Sequence, residues 1–344
     1  MILLYIIIMS AIYEYIWIGG NNELRSKTRI LSKNYANISQ IPVWNYDGSS
    51  TGQGTTEESE ITLRPVKLYD SPCKYSNYAS YIVLCATYIG NTVALHNNYR
   101  DEAEAIFVKY EEKEAWYGLE QEYFMYDVKT QQPLGYENAT KQGQYYCAVG
   151  ANNTFGRTLA EEHMIACLDA GIQISGINQE VAPGQWEFQI GPVGGLDVCD
   201  DLWTARYILE KLAEKYGIYI VYHPKPLLGD WNGSGLHTNF STKEMRENGG
   251  LDVIKASMEK LEKRHTEHIA VYGENNELRL TGHHETSSML QFSWSVGGRQ
   301  GSVRIGNDTE REGKGYFEDR RPAANMNPYL VCPIILETCY SYVS

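Results

Sequence analysis

Glutamates recur at alternate positions of short apolar segments in this chain. In Trp116-Tyr-Gly-Leu-Glu-Gln-Glu122, Glu120 and Glu122 stand two apart, so a strand points both to one face. Gln185-Trp-Glu-Phe-Gln-Ile190 divides the same way, with Trp186, Phe188 and Ile190 on one face and Gln185, Glu187 and Gln189 on the other. Glu180 precedes that segment across Ala182-Pro-Gly184, a hairpin turn that brings Glu180 close to Glu187. His237 shares a face with Asn239, and Glu318 shares one with Arg320. A polar strand face is ordinarily solvated, so no single segment decides anything. Several glutamates with one histidine and no cysteine, however, suit a hard divalent cation such as Mg²⁺ or Mn²⁺. Clustered carboxylates repel, and bound metal is the usual compensation.

Two further groups favour anions. Asn232-Gly-Ser-Gly-Leu-His237 is a glycine-rich approach to the histidine, which lets a ligand reach backbone. Arg279, Arg299, Arg304 and Arg320 offer bidentate clamps for phosphate or carboxylate. Gly313-Lys-Gly315 lacks P-loop spacing. His265 and His268 lie three apart on an amphipathic helix with no accompanying carboxylate pattern, which reads as structural. Spacing alone supports a metal-dependent enzyme acting on phosphorylated or acidic substrates.

The elements that must position these groups are legible in outline. From Tyr13 to about Thr92 the segments are short, rich in Tyr, Ile, Val and Thr, and broken by turn residues, which predicts strands. Ala103, Ile106, Phe107 and Tyr110 predict a helix over Arg100–Glu114. Helices follow over Arg157–Ala170, along the stripe Leu202, Ala205, Leu209, Leu212 and Tyr216, and along Ile254, Met258, Leu261 and Ile269, with half-buried strands between them. The prediction is α+β: a β-rich domain over residues 12–95, then a larger domain over 96–344. Met1–Met9 reads MILLYIIIM, too short to span a bilayer alone, and residues 1–11 are expected to be an apolar extension. The formal net charge of -13 argues against nucleic acid and anionic membrane as partners. Seven cysteines without C-x-x-C spacing read as reduced thiols of a cytosolic chain, with Cys147 and Cys167 in apolar segments.

Six ordered motifs then become specific: Trp44-Asn-Tyr-Asp-Gly-Ser-Ser-Thr51, Glu120-Gln-Glu122, Glu180 with Gln185-Trp-Glu-Phe188, Asn232–Asn239, Leu280-Thr-Gly-His-His-Glu-Thr286 and Lys314–Pro322. From about Tyr15 to Thr338 the chain resembles the eukaryotic-type (type II) glutamine synthetases, including the plant-like branch. The resemblance implies a small β-grasp-like domain and a catalytic domain on a curved antiparallel sheet. It implies an ATP-dependent ligase that condenses glutamate with ammonia through γ-glutamyl phosphate, with two to three Mg²⁺ or Mn²⁺ per site. Glu122, Glu180 and Glu187 would hold one metal, and Glu120, His237 and Glu318 a second. Asn232, Gly233 and Arg279 would bind glutamate. Trp116, Asn239, Ser241, Arg246 and Tyr316 would contact nucleotide. Arg299, Arg304 and Arg320 would handle phosphate charge. Asp47 would come from an adjacent subunit to bind ammonium and take its proton, and Glu285 would ride on a closing flap. The implied assembly is a cytoplasmic homo-oligomer, two stacked pentamers.

The chain departs from the family pattern in a shortened loop over Gly135–Tyr146, in Leu278 where Arg is common, and in Gly19 and Asn152 where Asp is common. None of these is a proposed ligand. Two rivals share part of the pattern. A related carboxylate–amine ligase for another amine would differ in the ammonium pocket, and Asp47 with Glu285 favours ammonia. A catalytically silent relative would show eroded ligands, yet all six ligand positions retain metal-binding side chains.

Overall fold

The computed structural model describes residues 10–75, 77–90, 92–139 and 141–341. The apolar run Met1–Met9 lies outside the described residues. The chain divides into two compact units, one running to Asp101 with the short stretch Ala166–Ile172, the other comprising Glu102–Ile165 and the chain from Gln173 onward.

The first unit is built on β1 (Ala11–Ile18), β2 (Leu24–Leu31), β3 (Trp44–Asp47), β4 (Glu60–Asp70), β5 (Ala79–Ile89) and β6 (Val93–Ala94). They form one sheet in the order β2-β1-β5-β4-β3, with β6 paired to β5. Alternation in β1 sends Ala11, Tyr13, Tyr15 and Trp17 into a core shared with Ile61, Leu63 and Val83. Ala11 is fully buried there, so β1 takes in the last residue of the stretch read as an extension. β1 runs parallel to β5, a pairing that local sequence does not announce.

The second unit follows from α1 (Arg100–Lys109), whose first residues close the first. Its elements are β7 (Trp116–Asp127), β8 (Gln132–Pro133), α2 (Arg157–Asp169, which from Ala166 on is counted with the first unit), β9 (Ile174–Gln179), β10 (Gln185–Gly194), α3 (Gly195–Glu214), β11 (Ile218–Val221) and β12 (Leu236–Ser241). There follow α4 (Lys243–Arg246), α5 (Gly250–Lys263), α6 (His265–Val271), β13 (Trp294–Val296), β14 (Val303–Ile305), α7 (Asn307–Glu312), β15 (Phe317–Asp319) and α8 (Pro328–Tyr340). The sheet is curled and ordered β13-β14-β15-β12-β7-β10-β9, with β8 and β11 on β7. Among the described strands it is antiparallel except between β13 and β14.

Period-two alternation splits this sheet into two chemistries. On β7, Tyr117, Leu119, Gln121 and Tyr123 are fully buried on one face, while Gly118, Glu120 and Glu122 occupy the other. α3 packs against β7, β10 and β11. Its buried residues include Leu202, Ala205, Leu209 and Leu212, but Tyr216 lies beyond the helix, where its hydroxyl donates to Glu162 at 2.6 Å. The stripe from Ile254 to Ile269 is two helices rather than one, because Arg264 leaves helical geometry (φ -101°, ψ 16°) between α5 and α6. The described cysteines are free thiols; Cys147 is exposed at φ 51°, in contrast to the apolar setting read for it. No helix among the described residues is long and apolar enough to cross a membrane.

Candidate active site

Strand register assembles the site. His237 on β12 stands opposite Glu120 on β7, and Glu187 on β10 stands opposite Glu122. On the other side of β12, Asn239 pairs with Glu318 of β15, which pairs in turn with Arg304 of β14. The hairpin between β9 and β10 brings Glu180 opposite Gln185, its backbone N–H donating to the Gln185 carbonyl at 2.9 Å. All of these except Asn239 line a cavity of about 330 Å³.

Two acidic groups of donors lie side by side in it. Glu120, His237 and Glu318 each present one donor atom, all within 4.8 Å of one another. His237 Nδ1 is 3.4 Å from Glu120 Oε2 and 3.4 Å from Glu318 Oε1. Burial and the nearby Arg320 guanidinium push the His237 pKa well down, so its ring is neutral and keeps a lone pair for a metal. Glu122, Glu180 and Glu187 form the second group. Burial, and then the charge of neighbouring carboxylates, raises Glu180 to about 8 and Glu187 to about 9. Glu122, also buried but facing Arg279 and the Gly235 N–H, is raised only to about 6. Neutral side chains hold these carboxylates in place. Asn239 donates to Glu120 at 2.7 Å, Gln189 to Glu187 at 2.7 Å, Asn178 to Glu180 at 3.0 Å, and Gln185 to Glu122 at 3.1 Å. An all-oxygen set beside an oxygen-and-imidazole set fits hard divalent cations.

A pH-dependent stability follows. The folded-state values of Glu180 and Glu187 lie above the ordinary carboxylate value of about 4.3. Metal-free protein is therefore expected to lose stability as pH rises from about 4.3 through 9, since ionisation is resisted only in the fold. A divalent cation favours the ionised carboxylates and releases their protons. The rise in Tm on adding Mg²⁺ to chelator-treated protein should thus be small near pH 5.5 and grow towards pH 9. An equal rise at both ends would contradict this account of the cluster.

Arginines rim the same cavity. Glu318 is buried between Arg320, which donates to Oε1, and Arg304, 3.1 Å from Oε2. Arg279 is buried, donates to the Arg320 and Arg321 carbonyls at 3.0 and 3.3 Å, and places Nη2 3.2 Å from His237 Nε2. The glycine-rich approach makes room for that arginine: a Cβ on Gly233 would meet Arg279 Cγ at 2.8 Å, and one on Gly235 would meet Nη2 at 2.3 Å. Protein, not only ligand, is what comes close there. Asn232 and Gly233 also line the cavity.

A second cavity of about 460 Å³ adjoins it, with Glu120 and Gln189 lining both. Trp116, Asn239, Ser241, Arg246 and Tyr316 line this one, whereas Arg304 lies with the first. The Arg246 guanidinium sits 3.9 Å over the Trp116 ring and donates to Ser241 Oγ at 3.0 Å.

Glu285 and Arg299 line the first cavity with a 3.8 Å ion pair between them. His284 and Glu285 both have positive φ, 54° and 61°. His284 Nε2 lies 3.5 Å from Asp230. Asp47 lies in the first unit, fully exposed, and lines neither cavity. It caps a short turn, accepting from Ser49 Oγ at 2.7 Å and Ser50 Oγ at 2.9 Å, and these bonds hold its pKa low. Sequence reasoning missed Asn178, Tyr146 and Thr286, which also line the first cavity. Asn178 had a signal, since it precedes Glu180 by two at the end of β9, which stops at Gln179; Tyr146 and Thr286 sit in loops that carry no periodicity.

Residues 100–270 match the family model for the glutamine synthetase catalytic domain. A putative glutamine synthetase of Acanthamoeba polyphaga mimivirus is 59% identical over 331 residues, 95% of this chain and 94% of the relative. The cytosolic isozyme of glutamine synthetase from Pinus sylvestris and the cytosolic isozyme 1-1 from Oryza sativa subsp. japonica are each 51% identical over 333 residues, 95% of this chain and 93% of theirs. Likeness of that extent, over both units, accounts for the carboxylate-lined face and the arginines beside it: the chain belongs to the glutamine synthetase family.

Proposed function

We propose that this ligase joins glutamate to ammonia at the expense of ATP, with the reaction centred on the first cavity. The observation that carries the reading is the adjacency of two carboxylate-rich donor groups on one sheet face, arginines on one flank and an aromatic-edged cavity on the other. Glu122, Glu180 and Glu187 would hold one Mg²⁺ or Mn²⁺, and Glu120, His237 and Glu318 another. Bound divalent ions would neutralise phosphate oxygens during transfer.

The chain's own residues do the rest. The second cavity holds ATP, its base against Trp116 and Tyr316, with Asn239, Ser241 and Arg246 along the nucleotide. Asn232, Gly233 and Arg279 orient glutamate so that a γ-carboxylate oxygen attacks the γ-phosphorus and ADP leaves. Arg299, Arg304 and Arg320 take up phosphate charge. Ammonia then adds to the γ-carbonyl carbon and phosphate departs. Glu285, on a loop at the cavity edge, keeps water from the acyl phosphate and helps draw in the ammonium ion. Asp47, exposed and outside both cavities, is assigned to a neighbouring copy's site, where it takes the ammonium proton. The working form is then a homo-oligomer, which we take to be two stacked pentamers. The unit ending at Asp101 serves as a β-grasp-like domain and the second as the catalytic domain. A cytoplasmic location agrees with the free thiols and with the cytosolic isozymes among its relatives.

Purified protein given ATP, Mg²⁺, glutamate and ammonia should release phosphate and glutamine in equal amounts. ATP turnover that is unchanged when ammonia is omitted would point instead to a ligase for another amine.

A further inference from the structure

Behind the strand that carries Glu318 and Arg320 lies a closed polar network that no step above uses. Asp319 and Arg321 alternate with those residues and are fully buried. Asp319 Oδ1 accepts from Arg321 Nε at 2.9 Å; Oδ2 accepts from Arg321 Nη2 at 2.6 Å and from the Tyr272 hydroxyl at 2.7 Å. Tyr272 spends its one proton there, so His268 Nδ1, 2.5 Å away, is the donor to the phenolic oxygen. His268 Nε2 then accepts from Thr338 Oγ1 of α8 at 2.8 Å. His265 completes the set: Nε2 donates to the Met289 carbonyl at 2.9 Å, leaving Nδ1 to accept from Arg321 Nη1 at 2.9 Å. These short contacts fix one tautomer for each ring; the longer approach of Arg321 Nη2 to His268 Nδ1, 3.5 Å, is then not a hydrogen bond, and Nη2 also reaches the Tyr272 oxygen at 3.4 Å.

Burying an ion pair does little for stability compared with apolar residues of the same volume. What a fully satisfied network supplies is a fixed orientation. We infer that Tyr272, His268 and His265 are positioning residues: through Asp319 and Arg321 they fix β15 so that Glu318 and Arg320 project into the cavity. The same network reaches the loop that holds Glu285, because Met289 follows the bridge between Thr281 and Ser288 at the base of that loop. It reaches Arg279 as well, which donates to the Arg321 carbonyl at 3.3 Å. One rigid anchor thus serves a metal ligand, a phosphate-facing arginine and the glutamate-facing arginine. The inference rests on the metal assignment proposed above.

The test is Mn²⁺ binding to the metal-depleted whole chain, with free Mn²⁺ counted by electron paramagnetic resonance. Tyr272→Phe keeps the ring and removes only the hydroxyl; it should weaken Mn²⁺ binding about 10-fold, the scale at which partners of metal ligands act. Ile254→Val, a buried change on α5 outside the network, should leave binding unaltered. If Tyr272→Phe does not fold, His265→Gln is judged by the same criterion. Wild-type affinity in the folded network variant, or equal weakening in Ile254→Val, overturns the inference. Glu318→Gln should lose a site outright; if wild type itself takes up no Mn²⁺, the metal assignment falls, and the inference with it.

Discussion

Glu318→Gln is expected to lower kcat about 10²–10³-fold, the scale of losing one preorganised charge contact to a transition state. Glu318 is where both flanks of the site meet. Its carboxylate faces His237 at 3.4 Å while accepting from Arg304 and Arg320. Glutamine keeps the size but exchanges one acceptor for a donor that points at an arginine. The loss therefore has two parts, a missing metal ligand and two loosened arginines. Both Glu318 and Arg320 are buried. The substitution also removes a negative charge from a crowded acidic cluster, which would by itself stabilise the metal-free protein. The buried arginine left short of an acceptor opposes that relief by about 1–3 kcal/mol, and we expect it to win. Steady-state phosphate release at saturating Mg²⁺, with a urea midpoint in chelator, measures both effects. A kcat within threefold of wild type would remove Glu318 from the ligand set.

Glu285→Ala should reduce kcat/KM for ammonium about 10²–10³-fold, the scale of losing one preorganised charge that receives the cation. It should leave the KM for ATP nearly unchanged, since Glu285 lines the first cavity and not the second. Its ion pair with Arg299 is half-exposed and long, at 3.8 Å, so little stability is lost with it. Glu285 occupies a left-handed conformation that suits alanine no better than glutamate. A large effect is then attributable to the carboxylate, and Glu285→Gln, which keeps the shape, should behave similarly. Phosphate release that outruns glutamine formation would mark water entering the unshielded site. Unimpaired ammonium dependence in both variants would exclude Glu285 from ammonia capture.

Much of this site is visible in the sequence because strands have a strict period of two. Glu120 with Glu122, and Gln185 with Glu187 and Gln189, could be placed on shared faces before any partner strand was known. The turn at Ala182–Gly184 predicted a hairpin bringing Glu180 close to Glu187; in the observed register Glu180 faces Gln185 and Glu187 faces Asn178, and both glutamates line the first cavity. The amphipathic helices were legible for the same kind of reason, although the break at Arg264 was not: a stripe reports which face is apolar, not whether the axis bends.

Tertiary structure alone decided the rest. No local pattern pairs His237 with Glu120, or Glu318 with Asn239, because those strands are far apart in sequence and their register is set by the whole apolar face packing on helices such as α3. The same packing decided that Gly233 and Gly235 make way for Arg279, and that His265 and His268, read from the sequence as structural, are hydrogen-bonded to Met289, Arg321 and Thr338 behind the site. It also decided the electrostatics. A glutamate's charge depends on what surrounds it, and only the fold buries Glu180 and Glu187 together until protonation or a metal ion must offset their repulsion.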